Sequence, residues 1–232
     1  LKADPKNAFS QARMARVLTT LNQPEKALPL YRDAASAAPD NLDYTEGYLS
    51  CLILLGKMDE ANKAMTSANA RFPGNAMLSY LSGRVTDALD DTKSAEDGYK
   101  RAIAADPSIT DAYLFLSRLY VRMRRFNDAA PILEQGLARD AKNAALHVGM
   151  GELAFHERDL ERAEKEFKEA NELNPMSSEA YRGLSRVALE TGKADLALAH
   201  VEKALEINPR LQGGRLQKGM ALWKLQRLDE AV

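Results

Sequence analysis

Apolar residues recur along this chain at steps of three and four, the period of one face of an α-helix. Tyr113, Leu116, Leu119 and Tyr120 mark one such face, and Leu133, Gly136 and Leu137 mark the next. Short polar or breaker stretches separate them: Asn22-Gln23-Pro24, Gly56-Lys57, Arg124-Arg125 and Gly192-Lys193. The paired helical stretches repeat every 34 residues. An alanine marks each period: Ala27, Ala61, Ala95, Ala129, Ala163, Ala197 and Ala231. A proline marks most of them: Pro5, Pro39, Pro73, Pro107, Pro175 and Pro209, with Ala141 in the remaining slot.

The columns have a steric logic. Two antiparallel helices joined by a tight turn approach most closely near that turn, where a larger side chain overpacks by roughly 1–3 kcal/mol. The alanine column supplies small residues on the second helix. Ala15, Gly83, Ser117, Gly151, Ser185 and Gly219 oppose it on the first helix, with Leu49 as the exception. A bulky layer follows at Tyr31, Met65, Tyr99, Leu133, Phe167 and Val201, then a second small column at Ala34, Ala68, Ala102, Gly136, Ala170 and Ala204. Asn7, Asn41, Asn75, Asn143 and Ser177 precede the first helices. Their side chains suit the unpaired N–H groups there, each cap being worth about 1 kcal/mol. Glu25, Asp59 and Glu161 favour the positive end of the second helices. The prolines end those helices.

A 34-residue period with this content resembles the tetratricopeptide repeat family, each unit being a helix–turn–helix. The resemblance spans essentially the whole chain. It implies an all-α, right-handed superhelical solenoid. Complete repeats are expected at 8–41, 42–75, 76–109, 110–143, 144–177 and 178–211, with residues 1–7 ending a preceding repeat and 212–232 opening a seventh. Both ends cut a repeat, so the chain reads as one solenoid taken from a longer protein. The family's early aromatic appears as Tyr113 and Tyr181, but not at Gln11, Thr45, Ser79 or His147. Ser82 and Thr86 stand where apolar groups are usual, so the third repeat is expected to be the least tightly packed. Ala141 is expected to relax its turn slightly.

Composition excludes more than it selects. The net charge of −1 favours neither nucleic acid nor an anionic membrane. No apolar run reaches the roughly 18 residues of a transmembrane helix. Cys51 is alone and sits in an apolar run, which makes it a buried core residue and is compatible with cytoplasm and periplasm alike. His147, His156 and His200 lack metal-ligand spacing, and Gly149-Met150-Gly151 falls inside a helix with no preceding strand. Adjacent acids such as Asp90-Asp91 read as a solvated turn. No catalytic set and no cofactor motif emerges, so the fragment reads as a non-enzyme.

Stacked hairpins build an extended concave face, and the resemblance implies that first helices line it. One such column is Arg16, Ser50, Arg84, Arg118, Glu152, Arg186 and Met220. Its arginines suit the carboxylates of a partner, with ordinary surface ion pairs as the simpler alternative. Glu152 is placed to bridge Arg118 and Arg186. Met77, Tyr80, Arg84, Leu114, Phe115, Arg118 and Arg122 form a central candidate surface, with Arg16 and Arg186 as outer members. That mixture suits a protein segment with apolar anchors and acidic flanks. The family's carboxylate clamp is missing: the corresponding places hold Ala12, Arg16, Gly47, Met77 and Leu81. The expected function is a non-catalytic protein-binding scaffold. The alternatives are self-assembly through apolar repeat ends such as Leu1, Leu222, Leu225 and Leu228, and the recognition arm of a larger enzyme. Trp223 lies in the partial seventh repeat, as an expected lone fluorophore.

Overall fold

The computed structural model describes residues 7–230, the side chain of Leu228 apart. Leu1, Pro5 and Ala231 therefore lie outside the described residues. The described chain holds thirteen α-helices and a closing 3-10 turn at Leu228–Glu230. Consecutive helices follow as pairs: α1 (Ala8–Thr20) and α2 (Pro24–Ala37); α3 (Leu42–Leu54) and α4 (Met58–Arg71); α5 (Ala76–Ala88) and α6 (Thr92–Ala105); α7 (Thr110–Arg122) and α8 (Phe126–Arg139); α9 (Ala144–His156) and α10 (Leu160–Leu173); α11 (Ser178–Glu190) and α12 (Ala194–Ile207). α13 (Gly214–Lys224) follows. This is the all-α, helical-hairpin class expected from the period. The chain divides into two compact units, Leu1–Ala112 and Tyr113–Val232.

Local chemistry starts and stops these helices. Asn7, Asn41, Asn75, Asn143 and Ser177 all cap as expected, their side-chain oxygens accepting from Phe9, Tyr44, Leu78, Ala145 and Ala180 N–H at 2.8–3.2 Å. Asp91 and Asp159 cap α6 and α10 in the same way, a role their place before the second helices would have revealed. Each first helix ends alike. Asn22, Gly56, Asp90, Arg124, Arg158, Gly192 and Gln226, spaced at one period, all take positive φ. The next residue donates its N–H back across the turn, as Arg125 does to Tyr120 O (2.8 Å) and Lys193 to Ala188 O (2.8 Å). This is the Schellman closure, which prefers a residue free of left-handed strain. Glycine fills that place only at Gly56 and Gly192.

Packing follows the columns. Ala27, Ala61, Ala95, Ala129, Ala163 and Ala197 are fully buried. Ser185 Oγ donates to the carbonyl of Ala197 at 2.8 Å, so the two small columns touch. The bulky layer is buried throughout, from Tyr31 to Val201. In the second unit the Phe167 ring fills space left by two glycines. A Cβ on Gly151 would meet the ring at 2.7 Å, and one on Gly183, in the following hairpin, would meet it as closely. Cys51 is buried in the first unit, where Thr19 Oγ1 lies 3.7 Å from its Sγ and burial pushes the thiol pKa up.

Two expectations are overturned. The third hairpin is not loose. Gly98 on α6 faces Gly83 on α5 so closely that a Cβ at Gly98 would lie 2.8 Å from the Gly83 nitrogen. Two glycines in register let the backbones meet, and Tyr99 closes the gap, fully buried. Thr86 satisfies its hydroxyl within α5, donating to Ser82 O at 3.0 Å, so its polarity loosens nothing. Nor does Ala141 relax its turn. Asn143 N–H reaches Asp140 O at 3.2 Å, as Ile109 N–H reaches Asp106 O at 3.3 Å beside Pro107. The Asp140 carboxylate holds the turn by accepting from Lys142 N–H (3.2 Å) and Asn143 Nδ2 (3.1 Å). The same side-chain turn recurs at Asp106, Asn174 and Asn208.

Candidate functional site

The residues singled out from the sequence fall in both units. Arg16, Met77, Tyr80 and Arg84 belong to the first; Leu114, Phe115, Arg118, Arg122 and Arg186 belong to the second. Tyr80 is only 5% exposed and packs on Tyr99, with ring centroids 6.3 Å apart. Its hydroxyl accepts from Arg84 Nη1 at 3.0 Å. Leu114 is equally buried. Both therefore support the surface from beneath. Met77 is half-buried in a shallow depression with Asn75, Asp106 and Asp111, where the nearby charge is acidic. Arg16 acts on the Tyr31 side chain. Burial raises the Tyr31 pKa, and the Arg16 contact partly opposes that rise.

The second unit gathers its basic residues. A cleft of about 900 Å³ is lined by Arg118, Arg122 and Arg124 from α7 and the turn after it, by Glu152 and His156 from α9, and by Glu179, Arg182 and Arg186 from α11. The segment Asn208 and Leu211 to Gly213, ahead of α13, closes one side. Five arginines face two glutamates, an imbalance at odds with the near-neutral chain. Three of the five were singled out from the arginine column or its neighbours. Arg182 stands in the neighbouring column of Tyr80 and Leu114 but was not taken as a candidate, although it lies four before Arg186 on one helix face, and Arg124 was read only as a turn residue.

Glu152 organises the cleft. Its carboxylate accepts from Arg118 Nε (2.8 Å) and Nη2 (3.3 Å), and from Arg182 Nη2 (3.4 Å). The expected bridge from Arg118 thus ends on Arg182 rather than Arg186. Arg186 instead lies over the Phe155 ring, its Cζ 4.1 Å from the ring centroid. Burial, and after it the adjacent Arg182 charge, pull the Arg186 pKa below its ordinary value. Arg182 Nε is buried and, among the described residues, has no hydrogen-bond partner. The Arg182 backbone is fixed from α13, where Gln217 Nε2 donates to its carbonyl at 3.0 Å. His156 lines the cleft, exposed, beside Phe155 and Phe126; partial desolvation and then the Arg186 charge lower its pKa, with Glu152 opposing.

An apolar shelf adjoins the charged cleft. Phe155, Leu189, Leu216 and Met220 line a depression of about 290 Å³ that shares Arg182, Arg186 and Gly213 with it. Leu216 is 71% exposed. The arrangement sets guanidinium groups beside open hydrocarbon. It suits recognition of anionic and apolar groups together, and it contains no nucleophile paired with a base. Among the described residues, no trio of His, Cys, Asp or Glu is placed to hold a metal ion, and no helix is long and apolar enough to cross a membrane.

Comparison with known proteins places this architecture. Family models described as tetratricopeptide repeat match residues 13–76, 121–187 and 178–211. Anaphase-promoting complex subunit 7 of Dictyostelium discoideum is 26% identical over 182 residues, covering 78% of this chain. The chain spans 31% of that relative's length and 33% of its Arabidopsis thaliana counterpart. Among solved structures, the APC/C hetero-tetramer Cut9–Hcn1 superposes with a TM-score of 0.79 at 16% identity, over 95% of this chain and 44% of that one. A tetratricopeptide repeat protein from Parabacteroides merdae gives 0.70 at 17% identity, over 97% and 88% of the two chains. At these identities the structures speak to the fold alone.

Proposed function

We propose that this chain, which belongs to the tetratricopeptide repeat family, is a non-catalytic scaffold that binds a segment of a partner protein. The cleft of the second unit receives acidic side chains of that segment, and the shelf of Phe155, Leu216 and Met220 receives an apolar one. The observation that carries this reading is the five arginines that line the cleft against two glutamates, beside exposed hydrocarbon. A similar protein supports it in kind: it is named as a subunit of a complex. Of the residues singled out from the sequence, Phe115, Arg118, Arg122 and Arg186, with Leu114 beneath them, belong to this reading in the second unit; Arg16, Met77 and Arg84, with Tyr80 beneath, are a separate candidate surface of the first. The weight of the reading lies on Arg118, Arg182 and Arg186.

The test is a peptide array alternating glutamate with leucine or phenylalanine, read by titration against the wild type. Arg182→Glu/Arg186→Glu is expected to weaken binding at least tenfold, while Arg84→Glu in the first unit leaves most of it. Binding untouched by the second-unit pair removes the cleft from the reading.

Self-assembly is the second reading. Phe9, Met14, Val17 and Leu21 leave an exposed apolar stripe along α1, a kind of surface that repeat arrays cover for solubility. Light scattering over a dilution series decides it, a monomer at every concentration counting against it.

A further inference from the structure

We propose that the second-unit cleft reads phosphate: it receives a phosphoserine or phosphothreonine of the partner segment, whose nearby apolar residue lies on the shelf. This rests on the reading of the cleft as a partner-binding site, and it goes further by naming the group bound. The first reason is occupancy. The cleft already contains one carboxylate, and its arginines still outnumber its glutamates. Glu152 satisfies Arg118 through two nitrogens and reaches Arg182 through one of the same oxygens, Oε1. A second simple carboxylate duplicates that interaction and still leaves the arginines in excess.

The second reason is the geometry of what is left. Arg182 and Arg186 line one cleft from successive turns of α11, so two like charges sit together, each half-buried. Arg182 Nε points from a buried position with no acceptor among the described residues. Arg124 lines the same cleft from the turn after α7, exposed. A phosphate monoester brings close to two negative charges and three acceptor oxygens, against one charge and two oxygens for a carboxylate. The planar guanidinium fork matches it with paired hydrogen bonds. The depressed pKa of Arg186 agrees with a site waiting for a counter-charge.

The surroundings favour protein over nucleic acid as the source of the phosphate. A polynucleotide is held along a continuous basic track, with bases stacked on aromatic faces. Here the basic residues form one basin in a chain of net charge −1. Glu152 and Glu179 stand inside that basin, where they repel a run of phosphates but tolerate one. The adjoining shelf is aliphatic at Leu189, Leu216 and Met220, and Arg186 lies over its aromatic ring, Phe155.

The experiment uses three matched, otherwise degenerate peptide arrays with a central phosphoserine, glutamate or serine and a leucine or phenylalanine three or four residues away. Binding is followed by anisotropy, with an oligouridylate RNA as a fourth probe. The expected result is at least tenfold tighter binding of the phosphoserine array over the glutamate array. Arg182→Lys, which keeps the charge but loses the fork, should abolish that preference. Glu152→Gln, which frees Arg118 and Arg182, should tighten the phosphoserine array several-fold. Circular dichroism melts confirm that each variant is folded. Equal binding of phosphoserine and glutamate arrays overturns the phosphate inference and leaves the scaffold reading intact. Failure of all three arrays overturns both. RNA binding that depends on Arg182, with no peptide bound, overturns both in favour of nucleic acid.

Discussion

Arg124 holds a left-handed backbone, with φ of 60°, at the end of α7. A side chain there costs about 1–2 kcal/mol in regular left-handed backbone, and glycine relieves most of it. Arg124→Gly is therefore expected to raise stability by about 0.5–1 kcal/mol, after allowing for the added freedom of the unfolded chain. A shift of the urea midpoint at constant slope measures it. The same change removes one guanidinium from the cleft, so binding of an acidic probe should weaken while the fold strengthens. A rise in both would detach Arg124 from function. Arg158 shares the conformation (φ 68°), but its ion pair with Glu190 at 2.9 Å is well exposed and adds little to weigh against the strain.

At the scale of the helix pair, α5 and α6 make the sharpest case. Gly98 lies against the Gly83 backbone, so Gly98→Leu has no room and should cost about 1–3 kcal/mol, seen as a lower thermal midpoint. An unchanged midpoint would mean that the two helices part freely. Sequence periodicity made the hairpins legible because alanine, cap and proline columns each answer a local demand: close approach, an orphan N–H, a helix stop. It misjudged the third hairpin because Ser82 and Thr86 were weighed as polar residues in a core. The meeting of Gly83 with Gly98 depends on the register between two helices and escapes a reading of each helix alone. The cleft divided in the same way. Arg118 and Arg186 were visible as a column at the repeat spacing. The choice of Glu152 for Arg182 was not, because it depends on Arg186 being drawn onto Phe155, a matter of side-chain reach. The turn residues Arg124 and Arg158 carry no residue-type mark of their backbone, so only Gly56, Gly192 and Asn22 announced that column.

Over the whole chain, two partly covered histidines tie stability to acidity. His156 and His200 both hold pKa values below the ordinary 6.5, in each case chiefly because burial disfavours the charged ring. As pH falls through about 6.5 the unfolded chain binds these protons before the folded one does, so their contribution to stability is complete above that pH and is lost below it. The thermal midpoint should fall between pH 7.5 and 5.5, and the drop should shrink in His156→Gln/His200→Gln. A flat profile in the wild type would contradict the partial desolvation of the two rings. Phe167 has a different consequence. Its ring from α10 lodges between a glycine of its own hairpin and a glycine of the next. The ring therefore reports on both sides of any chimera. A cut between α9 and α10 pairs Phe167 with whatever residue the donor places at 151, a cut between α10 and α11 with whatever it places at 183, and a donor without glycine at that position is expected to melt at a lower temperature.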